Sequence, residues 1–172
     1  MNQTEKAFVL GETRGELHVA GLNEMRGHSC AMAAASRRRL LIYSHRLNPE
    51  IYGQSCFTEA VRQLVIRHAH TRIRILVADT TNLVRGGHGL VRLAQDMTSS
   101  MEIRRIAPEF EGDLRSFMLA DEYGYILRNL WHDLNNGRAD YYDPPRVRNL
   151  AEEFMLIWEQ SEADPALRRL SL

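Results

Sequence analysis

The chain has 172 residues, enough for one domain with a substantial core, and its 44% apolar and 26% charged content is that of a globular protein. Its 22 basic and 22 acidic residues cancel to a formal charge of zero, so no whole-protein field draws it to nucleic acid or to an anionic membrane. Lys6 is the only lysine, so a mechanism that needs one would have to run through the polar N-terminal stretch.

Residues 1–22 are polar and glycine-containing without a sustained period, and read as a flexible lead-in to a single domain over 23–172. They hold no apolar stretch of about 7–15 residues of the kind a secretory signal needs. No segment approaches the roughly 20 apolar residues that span a bilayer, so a cytoplasmic protein without membrane contact is expected. Cys30 and Cys56 stand apart from any C-x-x-C or ligand ladder, which predicts reduced structural thiols rather than a disulfide or a metal site.

Residues 24–36 are Ala-rich enough for a helix, weakened by Gly27. Arg37, Arg38 and Arg39 lead into "LLIYS", a compact apolar run of strand length. After a break at Asn48-Pro49, Ser55 can cap a helix whose Phe57, Ala60, Val61, Leu64, Val65 and His68 share one face. In "RIRILVAD" (72–79), Ile73, Ile75 and Val77 alternate while Leu76 is apolar on the other face, as in a strand covered on both sides. A glycine-containing loop opens a helix near 87–97, and "MEIRRI" returns as a third strand. Connections of this length join parallel neighbours by right-handed crossovers. A hairpin over 115–130 adds antiparallel strands. Asp143 then caps a helix that starts with Pro144-Pro145 and carries Val147, Leu150, Ala151, Phe154, Ile157 and Trp158 as one stripe. The expected fold is α/β, with a mixed, mostly parallel sheet flanked by helices.

In this order, "LLIYSHRL", "AVRQLVIRHAHTRIRILVAD", "SFMLADEYGYILRN" and "DPPRVRNLAEEFMLIWEQS" resemble the elements of a single-repeat phospholipase D-like domain, over about residues 37–161. The chain also resembles a family of small uncharacterised bacterial proteins through "RILVAD", "GHGLVRLA" and "DPALRRL". Active members of the superfamily carry H-x-K-x-x-x-x-D, and two copies of it meet across a dimer or a duplicated chain. One histidine attacks phosphorus, the other protonates the leaving group, and the lysines neutralise phosphate charge. If Asp121 is the motif aspartate, Leu114 stands in the histidine's place and Ser116 in the lysine's. Leucine can neither attack phosphorus nor move a proton, so the resemblance implies a degenerate motif and loss of this chemistry. It also implies a homodimer. Asp121, beside Glu122-Tyr123-Gly124, reads more simply as a turn residue.

A different set of residues could form a site. Ligands of parallel α/β sheets sit beyond the carboxyl ends of the strands. There the first strand ends in Ser44-His45 and the second in Asp79, while Arg85, Gly86, Gly87 and His88 precede a helix whose free N–H groups attract anions. These seven residues are the candidate pocket for a phosphate or carboxylate. The plainer alternative is that the glycines make a turn, Asp79 satisfies amides and His88 caps or packs. His68 and His70 are two apart at a helix end and diverge, and His28-Ser29-Cys30 lacks further ligands, so no metal and no cofactor is expected. The arginine runs border strands, and at zero net charge they do not predict a nucleic-acid binder. Trp131 lies outside the apolar stripes and can be either exposed or buried under its loop. Three functions remain: an inactive binding or regulatory module for a phosphate-bearing ligand, a phosphodiesterase or nuclease using His45 and His88, or an accessory subunit that docks a protein.

Overall fold

A computed structural model of the protein describes residues 7–168. Alternation along one central strand, Arg39–Ser44 (β2), sets the architecture: Leu40 and Ile42 pack on one side, Leu41 and Tyr43 on the other. The first side is covered by Leu22–Ala35 (α1), Ser55–Arg67 (α3) and Gly89–Asp96 (α5), the second by Pro144–Gln160 (α6). The six stripe residues of α6 read from the sequence are its buried residues, and the Asp143 side chain accepts the Arg146 N–H as the cap.

Between the helix layers runs a seven-stranded sheet in the order β1-β7-β6-β5-β2-β3-β4. Its other strands are Leu17–Val19 (β1), Arg72–Val77 (β3), Met101–Arg105 (β4), Ser116–Ala120 (β5), Gly124–Arg128 (β6) and Gly137–Asp140 (β7). Parallel pairing joins β2 to β3 and β3 to β4; every other pair is antiparallel. The sheet is therefore mixed, with its parallel part confined to the strands that helices connect. Two short helices, Pro49–Tyr52 (α2) and Thr81–Arg85 (α4), follow the ends of β2 and β3. Among the described residues no helix is long and apolar enough to cross a membrane.

The structure departs from the sequence reading at identifiable places. Within the lead-in, Leu17–Val19 adds to the sheet as β1 beside β7, and Phe8 stacks on Tyr141; residues 1–6 lie outside the described residues. The partner strand β7, "GRAD", has one apolar residue and escaped notice. Gly137 sits closely packed there: a Cβ would come within 2.7 Å of the Met25 methyl, which would have to shift, and 3.1 Å of the Val19 carbonyl. Ser55 opens α3 as its first helical residue, with Gln54 at the cap and no side-chain bond. The largest correction concerns the cysteines. Cys30 on α1 and Cys56 on α3 are joined by a disulfide, not reduced. They are 26 residues apart and meet only because α1 packs on α3, which spacing alone does not reveal.

Candidate functional site

The parallel register aligns Ser44 with Val77, so β2 and β3 end together. Beyond that point the chains stay paired, with the Asp79 N–H donating to the His45 carbonyl at 2.7 Å. Ser44, His45 and Asp79 thus share one edge, as the sequence implied. Their side chains are differently employed. Ser44 is fully buried, and its Oγ accepts the Leu47 N–H at 2.9 Å, closing the turn after β2. Asp79 Oδ1 accepts the Thr81 N–H at 3.0 Å. This bond, with the nearby His45 and Arg46, holds its carboxyl below the usual carboxylate range.

His88 is buried as the cap of α5. Its Nδ1 accepts the Leu90 N–H at 3.1 Å, which leaves Nε2 protonated to donate to the Leu47 carbonyl at 3.0 Å. Burial lowers its pKa below the ordinary histidine value. Both ring nitrogens are occupied, so His88 ties the start of α5 to the β2 turn. Arg85 ends α4 and is exposed with Gly86 and Gly87; Gly87 takes a left-handed φ of 62°. Gly86 and His88, with Arg46, Asn48, Glu50 and Asn82, line a cavity of about 300 Å³.

His45 differs from its neighbours. Its ring stacks on Trp131 at 4.5 Å between centroids, and the Arg46 guanidinium lies 4.6 Å from the same indole. His45 Nδ1 and Asn48 Oδ1 are buried without a hydrogen-bond partner among the described residues. Arg46 and Asn48 were not among the candidates from the sequence, which left Trp131 as either exposed or buried under its loop.

The hairpin residues divide between the two ends of β5. Leu114 is 47% exposed just before the strand, and Ser116 is its first residue. Asp121 follows the last residue, at the opposite rim of the sheet, where its carboxylate accepts the N–H groups of Arg37, Arg38 and Arg39. Directly across from Ser116 on β6 stands Arg128, only 2% exposed. Its Nη2 donates to Ser116 Oγ at 3.2 Å and its Nη1 to the Trp131 carbonyl. The buried Tyr52 hydroxyl, its pKa raised by desolvation, faces both Ser116 and Arg128. Arg128 was missed from the sequence, yet a signal existed. Strand parity places it with Ile126 on the α1–α3 side, opposite to Tyr125 and Leu127. Among the described residues no group of three or more His, Cys, Asp or Glu side chains could hold a metal ion.

Comparison with solved structures places this architecture. TrmBL2, described as an archaeal chromatin protein with a novel mode of DNA binding, superposes with a TM-score of 0.66 at 13% identity. The match covers 94% of this chain, which spans 57% of TrmBL2. NucT from Helicobacter pylori matches with a TM-score of 0.63 at 9% identity, over 87% of this chain and 99% of its own. Nuc from Salmonella typhimurium, described as a phospholipase D family member, matches with a TM-score of 0.56 at 11% identity, over 84% and 91% of the two chains. At such identities the likeness is one of fold. No protein with a curated description matches the sequence. The model of one family does match, over residues 21–170. With a phospholipase D-like fold, the chain belongs to the family described as a domain of unknown function, DUF7931.

Proposed function

We propose that the protein is a phospholipase D-like module that binds a phosphate-bearing ligand at the carboxyl edge of β2 and does not cleave phosphodiesters. The observation that carries this reading is the start of β5. With Asp121 taken as the motif aspartate, Leu114 and Ser116 fall where the superfamily motif has a histidine and a lysine, and neither offers a nucleophile of that kind or a lysine ammonium. His88 cannot supply the missing acid–base partner without breaking two hydrogen bonds that fix α5. What the edge retains is the capacity to attract an anion: Arg46 beside Trp131, Arg85, and His45 with an unused ring nitrogen. The same reading pairs two copies of the chain across this edge, where Leu114 and Leu130 are 47% and 41% exposed and the Trp131 N–H donates to the Leu114 carbonyl.

The test has two arms. Bis(p-nitrophenyl) phosphate and DNA should not be hydrolysed above the buffer rate, while inorganic phosphate and nucleotides should shift the His45 ring resonances. Hydrolysis that disappears in both His45→Ala and His88→Ala would instead establish a phosphodiesterase.

A further inference from the structure

Arg128 is the largest of the nearly inaccessible side chains and carries a charge. A buried guanidinium is normally balanced by a carboxylate, because removing it from water is costly. Every ion pair among the described residues involves other arginines: Arg38, Arg62, Arg104, Arg105, Arg115 and Arg138. Among the described residues, the hydrogen-bond partners of the Arg128 guanidinium are neutral oxygens: the Ser116 hydroxyl, the Trp131 carbonyl and the Tyr52 hydroxyl.

We infer that Arg128, Ser116 and Tyr52 form a closed oxyanion site that receives the phosphoryl group of the ligand in place of the Trp131 carbonyl. This deepens the functional reading above and rests on it. Two side-chain hydroxyls and a guanidinium converge from three elements, β5, β6 and α2, and all three are donors that a tetrahedral oxyanion accepts at once. The anion supplies the negative charge that the fold withholds. A fixed carboxylate in its place would form an internal ion pair and fill the site permanently. The Trp131 carbonyl is the group that an anion would displace from Arg128, and the indole of the same residue stacks against His45 and lies beside Arg46.

The chemistry is that of a phosphoryl oxyanion, whether free phosphate, a monoester or a diester. Thermal unfolding, with matched ionic strength in chloride as the reference, distinguishes these sources when inorganic phosphate, glycerol 3-phosphate and dimethyl phosphate are compared. Indole fluorescence in a Trp158→Phe background reports Trp131 directly. Phosphate or one of the esters should raise the melting temperature by several degrees and change Trp131 emission. Arg128→Met should abolish both responses while melting no lower than the parent in chloride, because it removes an unbalanced charge. Ser116→Asp provides a second variant that does not depend on losing the arginine. By placing a carboxylate against Arg128 it should raise the melting temperature in chloride and eliminate the phosphate response.

No response in the parent to any of the three anions overturns the inference, as does a full response in either variant. A response lost in His45→Ala but intact in Arg128→Met would retain the binding function and remove Arg128 from it. Hydrolysis of a diester by the parent would overturn the non-cleaving reading and leave this site standing.

Discussion

The Asp121 carboxylate accepts the backbone N–H of Arg38 at 2.8 Å, and the adjacent amides of Arg37 and Arg39 converge on the same group. One side chain thereby locks the β5–β6 turn to the entrance of β2. Asp121→Ala leaves those amides without their acceptor and should lower stability by about 1–3 kcal/mol in urea unfolding. Phosphate-induced shifts at His45 should be unchanged, since Asp121 lies at the other end of β5. A loss of phosphate binding in a folded Asp121→Ala protein would contradict a purely structural role.

The Cys30–Cys56 bond offers a second test. It closes a loop of 26 residues, for which chain-entropy arguments give a stabilisation of about 2–4 kcal/mol. Reduction, or the Cys30→Ser, Cys56→Ser pair, should lower the urea midpoint accordingly. The intact protein should show no free thiol by mass spectrometry after alkylation.

Stability should fall with mild acid. Burial lowers the pKa of both His28 and His88 from the ordinary 6.5. Above that value the folded and unfolded chains are equally neutral, so these residues impose no pH dependence. As pH drops below 6.5 the unfolded state takes up protons that the folded state resists, and stability declines until the folded-state pKa is passed. Each histidine contributes a slope of at most about 1.4 kcal/mol per pH unit. His88→Asn, which retains a side-chain acceptor for the Leu90 N–H, should flatten the profile between pH 7 and 5.5, although its absolute stability is lower. An unchanged slope would remove His88 as the source.

Pairing across the β2 edge can be measured apart from ligand binding. Light scattering of the parent at rising concentration should approach twice the 19.8 kDa chain mass. Leu114→Glu with Leu130→Glu should hold the mass at that of one chain, because charges cannot be desolvated in an apolar contact. A parent that stays at one chain mass throughout would dismiss the dimer.

The helices and the central strands were legible because their patterns are long and periodic. The α6 stripe fixes both a period and a buried face, and β2 and β3 are apolar on both faces because helices cover both. β7 was not legible, since "GRAD" is a strand only by virtue of neighbours on either side. Nor was β1, whose three residues acquire their conformation from β7. The Cys30–Cys56 contact is a product of helix packing and left no local trace. At the site, the shared edge of Ser44, His45 and Asp79 followed from strand order, but the roles of the side chains did not. Whether His88 is free or occupied depends on where Leu47 O and Leu90 N lie, which no spacing rule supplies. Arg128 drew no reading from the sequence, although the strand parity it shares with Ile126 turns it to the α1–α3 side.

The disulfide also makes the two coats of the sheet unequal. On one side α1 and α3 form a covalently closed unit that can loosen only as a whole. On the other, α6 is retained without a covalent link, by side-chain packing, its proline-led cap and polar contacts such as Arg115 with Glu153 and Arg104 with the Trp158 carbonyl. Under oxidising conditions, hydrogen exchange should therefore open the molecule in a fixed sequence, α6 amides becoming labile before those of α1 and α3, and reduction should bring the two sides closer together.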